Sequence, residues 1–190
     1  MRTSIGFTPI QLAAALTLAA APALHAQQLA NPVVASAQEI YVRQSAYMTA
    51  AAEQMPEAKY SYHPTPEQWS FGKIVAHVAQ SNGHVCAILS DKPAPTGPAV
   101  TDTSPKAALL VALKASFDFC GKTLDDLKDA QLGDTIAFFG GAKKPRARAL
   151  LELTDDLEDH YSQMASYMRL NGMLPPSTAP AKPTPAKPAN

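Results

Sequence analysis

From Leu150 to Asn171 the chain places Leu150, Leu153, Leu157, His160, Met164, Tyr167 and Asn171 at steps that alternate between three and four residues. This spacing sets all seven along one face of a helix, a seam that faces a core. Gly172 ends the helix in the usual left-handed stop, with two prolines just beyond. One member of the seam is a histidine. At 100° per residue Asp156 lies a turn before His160 on nearly the same face and Gln163 about a turn after it, so a polar cluster interrupts an apolar stripe. Polar groups in a core must be paired or bound.

Three further helical patterns precede this one. The first runs from Pro32 to Met55, with Ile40, Tyr41, Tyr47 and Met48 as apolar positions, and stops before Pro56 because the residue ahead of a proline is pushed out of the helical region. The second is expected to open at Thr65-Pro66-Glu67-Gln68, where Thr65 can cap and Gln68 can complete a capping box, and to continue to about Ser90. It carries His77, Ser81 and His84 along one stripe, with His84 about two turns, roughly 10 Å, beyond His77. The third starts with Ser104 as cap and Pro105 at its first position, and reaches about Lys128 through Leu109, Leu110, Leu113, Phe117 and Leu124. The fourth begins near Pro145. Met48, Met164, Met168 and Met173 read as pliable core fillers, and Trp69 and Tyr62 as packing at the start of the second helix.

Segments at both ends fall outside this core. Residues 1–26 have the form of a signal peptide: Arg2 is the positive start, Ile10 to Ala21 is almost wholly apolar, and Ala26 offers a small residue at the cut. The apolar run is shorter than the ~20 residues of a spanning helix, so a periplasmic or secreted protein without a stable membrane anchor is expected. Residues 175–190 form a proline-rich, lysine-dotted tail with nothing large and apolar to bury. What folds is a single domain over 28–174. Sixteen basic against sixteen acidic residues argue against the footprint of a nucleic-acid binder.

The thirteen residues from Asp91 to Thr103, with three prolines, could extend over ~40 Å and run the length of a bundle, which permits the second and third helices to be parallel. Cys86 and Cys120 lie at similar depths in those helices, so parallel neighbours would hold them level. Two cysteines in an exported chain favour a disulfide, the alternative being a pair of small buried thiols. Ala130 to Lys144, with Gly133, Gly140 and Gly141, reads as a loop or short extended piece over one end of the bundle. Lys143, Lys144, Arg146 and Arg148 gather at the start of the fourth helix, where its dipole does not favour cations, and read as a solvated basic turn.

Phe71 to Asn82 (FGKIVAHVAQSN), the two cysteines, and Asp159 to Ser177 (DHYSQMASYMRLNGMLPPS) together resemble the DinB-like superfamily, in particular its exported single-domain members. The resemblance covers about Ala35 to Ser177. It implies an all-α four-helix bundle whose second and third helices run parallel through the long crossover. It also implies a divalent metal on three histidines, one from the second helix and two from an H-x-x-x-H turn on the fourth. Carried over, these positions are His77, Asp156 and His160, with an aspartate where the family usually has histidine. Two histidines and a carboxylate with open positions suit zinc, nickel or iron.

Two functions of different class follow. In one the bundle is a metal-dependent small-molecule (thiol) transferase or hydrolase, in which His84 or Tyr47 could serve as acid or base. In the other it is a non-catalytic exported protein that binds a metal or small ligand. Either way the expected partner is a small molecule, with homodimerisation left open. The chain has no glycine-rich phosphate loop, C-x-x-C, H-E-x-x-H or G-x-S-x-G, so nucleotide hydrolysis, redox exchange, helix-borne zinc proteolysis and serine esterase chemistry lack their carriers.

Overall fold

A computed structural model describes residues 30–97 and 99–178. The expected signal peptide, residues 1–26, and the tail beyond Thr178 lie outside the described residues. Four helices make the body: α1 (Pro32–Gln54), α2 (Phe71–Ser90), α3 (Lys106–Asp126) and α4 (Arg146–Leu170). Between α3 and α4 stand two three-residue strands, β1 (Thr135–Ala137) and β2 (Lys143–Pro145), paired antiparallel with Ile136 opposite Lys144. The four-helix bundle is as expected, with this small hairpin added to an otherwise helical fold. Its tip needs glycine, because Gly140 and Gly141 both have positive φ, 65° and 79°.

Inter-helix contacts fix the directions. Asn82 donates to the Ser116 hydroxyl (3.2 Å), Cys86 is bonded to Cys120, and Lys92 pairs with Asp126 (3.2 Å). Each pair is 34 residues apart, and a constant offset means α2 and α3 are parallel. The chain between them crosses back along the bundle, where the Gln80 side chain holds it at the Val100 carbonyl (2.7 Å) and Val100 itself is buried. The disulfide closes a long loop, which on the chain-entropy account stabilises the fold by about 3–4 kcal/mol. α1 opposes α3: Tyr41 donates to the Phe117 carbonyl, while Lys106 at the start of α3 reaches Glu53 and Met55 carbonyls at the end of α1. α4 likewise opposes α2, with Arg146 at its start bonded to Leu89 and Tyr167 near its end bonded to the Trp69 carbonyl (2.9 Å).

The core is a continuous apolar cluster. Met48, Phe71, Ile74, Leu109, Leu113, Leu153, Leu157, Met164 and Met168 are fully enclosed, so the methionines fill core as their spacing suggested; Met173 packs at its edge, partly buried. The α4 seam is buried throughout from Leu150 to Tyr167.

Four local expectations need correction. α2 begins at Phe71, six residues after Thr65, with the Ser70 hydroxyl accepting from the Lys73 amide (3.1 Å). The Tyr62 and Tyr60 carbonyls accept from the Phe71 and Gly72 amides (2.9 and 2.7 Å), so the preceding loop satisfies the first turn and leaves Thr65–Gln68 as a separate turn. A Cβ on Gly72 would sit 3.0 Å from the Asp102 carbonyl and 3.1 Å from that of Tyr60, which is why glycine stands where loop, crossover and helix meet. At α3, Ser104 accepts from the Thr101 amide (2.9 Å) and so closes the crossover instead of capping the helix, which starts at Lys106 after Pro105. Order also extends past Leu174: Pro175 is buried, and the Ser177 amide donates to the Tyr161 hydroxyl (2.8 Å), so the domain runs to a short 3-10 turn at Pro176–Thr178.

The basic turn is not wholly solvated either. Arg146 is only 7 % exposed; it donates to the Leu89 carbonyl and to Asp91 (2.8 Å), closing the C-terminal end of α2. A guanidinium there meets the negative end of the neighbouring helix, which outweighs its unfavourable place on its own.

Candidate metal centre

α2 and α4 pass each other antiparallel at the level of His77 and His160, and this crossing brings three polar side chains together. Asp156 joins them because it precedes His160 by one turn of α4. The Asp156 Oδ1 atom stands 3.4 Å from His77 Nε2 and 3.3 Å from His160 Nε2. One ligand atom from each of the three residues can be chosen so that all lie within 4.8 Å of one another. All three residues singled out from the sequence therefore meet. Side-chain exposure is 8 % at His160, 18 % at Asp156 and 36 % at His77, so the cluster is closed on the α4 side and opens to solvent past His77.

The indole of Trp69 forms one wall. It stacks on His160 (centroids 5.7 Å, 17° between planes) and lies 4.9 Å from the His77 ring, while the two imidazoles meet edge to face at 4.7 Å. Trp69 is thus more than packing at the start of the second helix. Its place depends on the late start of α2, which leaves it in the loop and free to fold over the histidines, and no residue spacing signals that.

The other two candidates are each stacked on another aromatic ring. His84 stacks on Phe139 of the hairpin (5.1 Å, 22°), consistent with its distance along α2, and Tyr47 stacks on Tyr161 (5.1 Å, 27°).

Electrostatics couple the cluster. Burial alone would push the Asp156 carboxyl up, but contact with His160, with smaller help from Ser81 and His77, holds it below the usual carboxylate range. For His160, burial pushes the imidazole down, and Asp156, with smaller help from Asp159 and Gln163, more than reverses it, so the ring holds its proton to higher pH than usual. The pairing is nonetheless incomplete. Charge-assisted N–H···O bonds are about 2.7–2.9 Å long, and both contacts to Oδ1 are longer. Asp156 Oδ2 and His160 Nδ1 are buried without a hydrogen-bond partner. The nearest acid to that Nδ1 is Asp159, at 3.9 Å, and Asp159 itself accepts from Gln163 (2.9 Å).

Two imidazoles and a carboxylate are a good donor set for a divalent transition metal, and the spacing suits one. Ligands bound at about 2.0–2.2 Å around a tetrahedral ion stand about 3.4 Å apart. This matches both contacts to Oδ1 better than hydrogen bonding does.

A family model described as the DinB superfamily matches residues 40–164. The chain belongs to that superfamily. Among solved structures, a DinB-like protein from Bacillus cereus ATCC 10987 superposes with a TM-score of 0.63 at 16 % identity, covering 75 % of this chain and 95 % of that one. A DinB-like protein from Bacillus subtilis gives 0.59 at 20 % identity over 72 % and 92 %. A mycothiol-dependent maleylpyruvate isomerase gives 0.56 at 16 % identity, covering 69 % of this chain and 60 % of that one. At these identities the likeness is one of fold. No curated protein matches the sequence significantly.

Proposed function

We propose that this DinB-superfamily bundle holds a zinc, nickel or iron ion on His77, Asp156 and His160 and uses it to transfer a small thiol or hydrolyse a small substrate. The observation that carries the reading is the single carboxylate oxygen set at ligand spacing between two imidazole Nε2 atoms, with two buried polar atoms left unpaired beside it. When bound, such an ion lowers the pKa of a thiol or water brought to it, so that a nucleophile is present at neutral pH. His160 must give up its proton to become a ligand, and Asp156 supplies the negative charge that keeps the site attractive to a cation. Trp69 orients both rings and excludes water from one side. The isomerase among the structural neighbours is described as dependent on a thiol, mycothiol, which supports a thiol as the substrate class.

A second reading rests on a specific observation: the two side chains expected as acid or base, His84 and Tyr47, are both stacked on other aromatic rings. On that reading the protein binds a metal or small ligand without turnover. Elemental analysis of protein purified from its own host, followed by thiol-transfer and hydrolase screens with the metal found, separates the two. Turnover that disappears in His160→Ala supports the enzyme; one equivalent of metal with no turnover supports the metal binder; absence of metal overturns both metal readings and leaves a binder of small ligands.

We also propose that the chain is exported, with a mature N-terminus near Gln27 or Gln28. The Cys86–Cys120 bridge supports this, since such bonds persist in oxidising compartments. No helix among the described residues is long and apolar enough to cross a membrane. N-terminal sequencing that found residues 1–26 retained would sink the proposal.

A further inference from the structure

Lys73 stands where its own helix disfavours it. It lies in the first turn of α2, at the positive end of the helix dipole, and no acidic residue shares that turn. Its ammonium makes no ion pair among the described residues. Instead the ammonium lies 4.6 Å from the centroid of the Trp69 ring, the same indole that touches His77 and stacks on His160. The ring's negative face holds a cation there. Lys73 also precedes His77 by four residues, so the two share one face of α2 a single turn apart, about 5.4 Å along the axis.

The result is a positive charge without an ion-pair partner, held against the indole that walls the cluster and one helical turn from His77. A divalent ion balanced by the single carboxylate of Asp156 leaves the centre positive, and Lys73 adds to that charge. A ligand with a metal-binding atom at one end and a negative group at the other would meet both.

We propose that Lys73 selects ligands carrying a carboxylate, or an equivalent anionic group, in addition to the thiol or oxygen that meets the metal. This rests on the metal reading of His77, Asp156 and His160. It assigns the site a substrate class, small anionic thiols being the simplest members, and makes Lys73 a specificity-determining residue.

The test uses the full chain loaded with zinc and calorimetric titration with two probes of equal length, 3-mercaptopropionate and the neutral 3-mercaptopropan-1-ol. Wild type should bind the acid more tightly than the alcohol. Lys73→Gln should reduce that preference roughly fivefold, the scale of one partly exposed ion pair. Lys73→Arg should keep it, and zinc stoichiometry should be unchanged in both variants. An equal preference in wild type and Lys73→Gln, no preference in wild type, or binding of neither thiol to zinc-loaded protein would each overturn the proposal while leaving the metal site standing. Failure of wild type to take up zinc would instead overturn the metal reading, and this proposal with it.

Discussion

Two charged clusters are buried between α2 and α4, and they are built to opposite ends. At the C-terminal end of α2, Arg146 donates to the Leu89 carbonyl and to Asp91, and leaves only its Nε unpaired. Near the other end, His77, Asp156 and His160 share one oxygen at 3.3–3.4 Å and leave a carboxylate oxygen and a ring nitrogen without partners. The first arrangement closes a helix terminus and leaves one buried donor over. The second has donor atoms to spare, and an unmade hydrogen bond in a buried place is destabilising. The three residues offer the donor atoms of a metal site.

The contrast predicts variants with opposite phenotypes. The largest effect should be on metal affinity: His77→Ala and His160→Ala should each lower zinc affinity by more than about 100-fold, beyond what loss of an outer-shell partner does. Denaturant midpoints of the metal-free protein should change little at His77, which is one-third exposed. Arg146→Ala should do the reverse, keeping full metal stoichiometry while destabilising the fold by about 1–3 kcal/mol in urea titrations, because the Leu89 carbonyl loses its partner. Were Arg146→Ala to lose metal as well, the two clusters would be one unit and the comparison would fail.

Asp156 allows a finer test. Asp156→Ala should weaken binding, whereas Asp156→His should retain or tighten zinc, since imidazole is a good zinc ligand. In the metal-free protein the same residue controls pH dependence. His160, with its pKa raised, contributes stability that is fully present below the ordinary histidine range and is lost as pH rises through its folded value. Asp156, with its pKa lowered, contributes stability that is present above the ordinary carboxylate range and is lost as pH falls through its folded value. The advantage of wild type over Asp156→Asn in thermal melts should therefore peak at about pH 5–6 and shrink towards pH 9. A flat difference across that range would show that the pair carries no charge. The smallest effect belongs to His84→Ala, whose stacking on Phe139 is exposed and remote from the triad; zinc affinity should be unchanged within error.

How far these clusters can be read from sequence depends on how local their determinants are. His160 and Asp156 are one turn apart on a single helix, and the interrupted α4 seam displays them directly. His77 follows from its own stripe together with the family resemblance. Arg146 does not, because its main partner is a carbonyl 57 residues away and the dipole rule for its own helix points to solvent. Trp69 is missed for a related reason. The start signal at Thr65 and Gln68 is overridden at α2, because the Tyr60 and Tyr62 carbonyls satisfy the first turn at Phe71 and Gly72 through contacts that no local pattern encodes. The parallel α2–α3 pairing was legible because a long proline-rich crossover and two level cysteines carry the same message. The burial of Pro175 was not, since a proline-rich stretch gives no sign of where packing stops.

The central claim, that the His77, Asp156 and His160 cluster is a metal site and not a self-paired polar core, is tested most directly by calorimetric titration of demetallated wild type and the His77→Ala, His160→Ala double variant with zinc, nickel and iron. The account predicts one equivalent of tightly bound metal for wild type and none for the double variant. Wild-type binding no tighter than that of the double variant would contradict it.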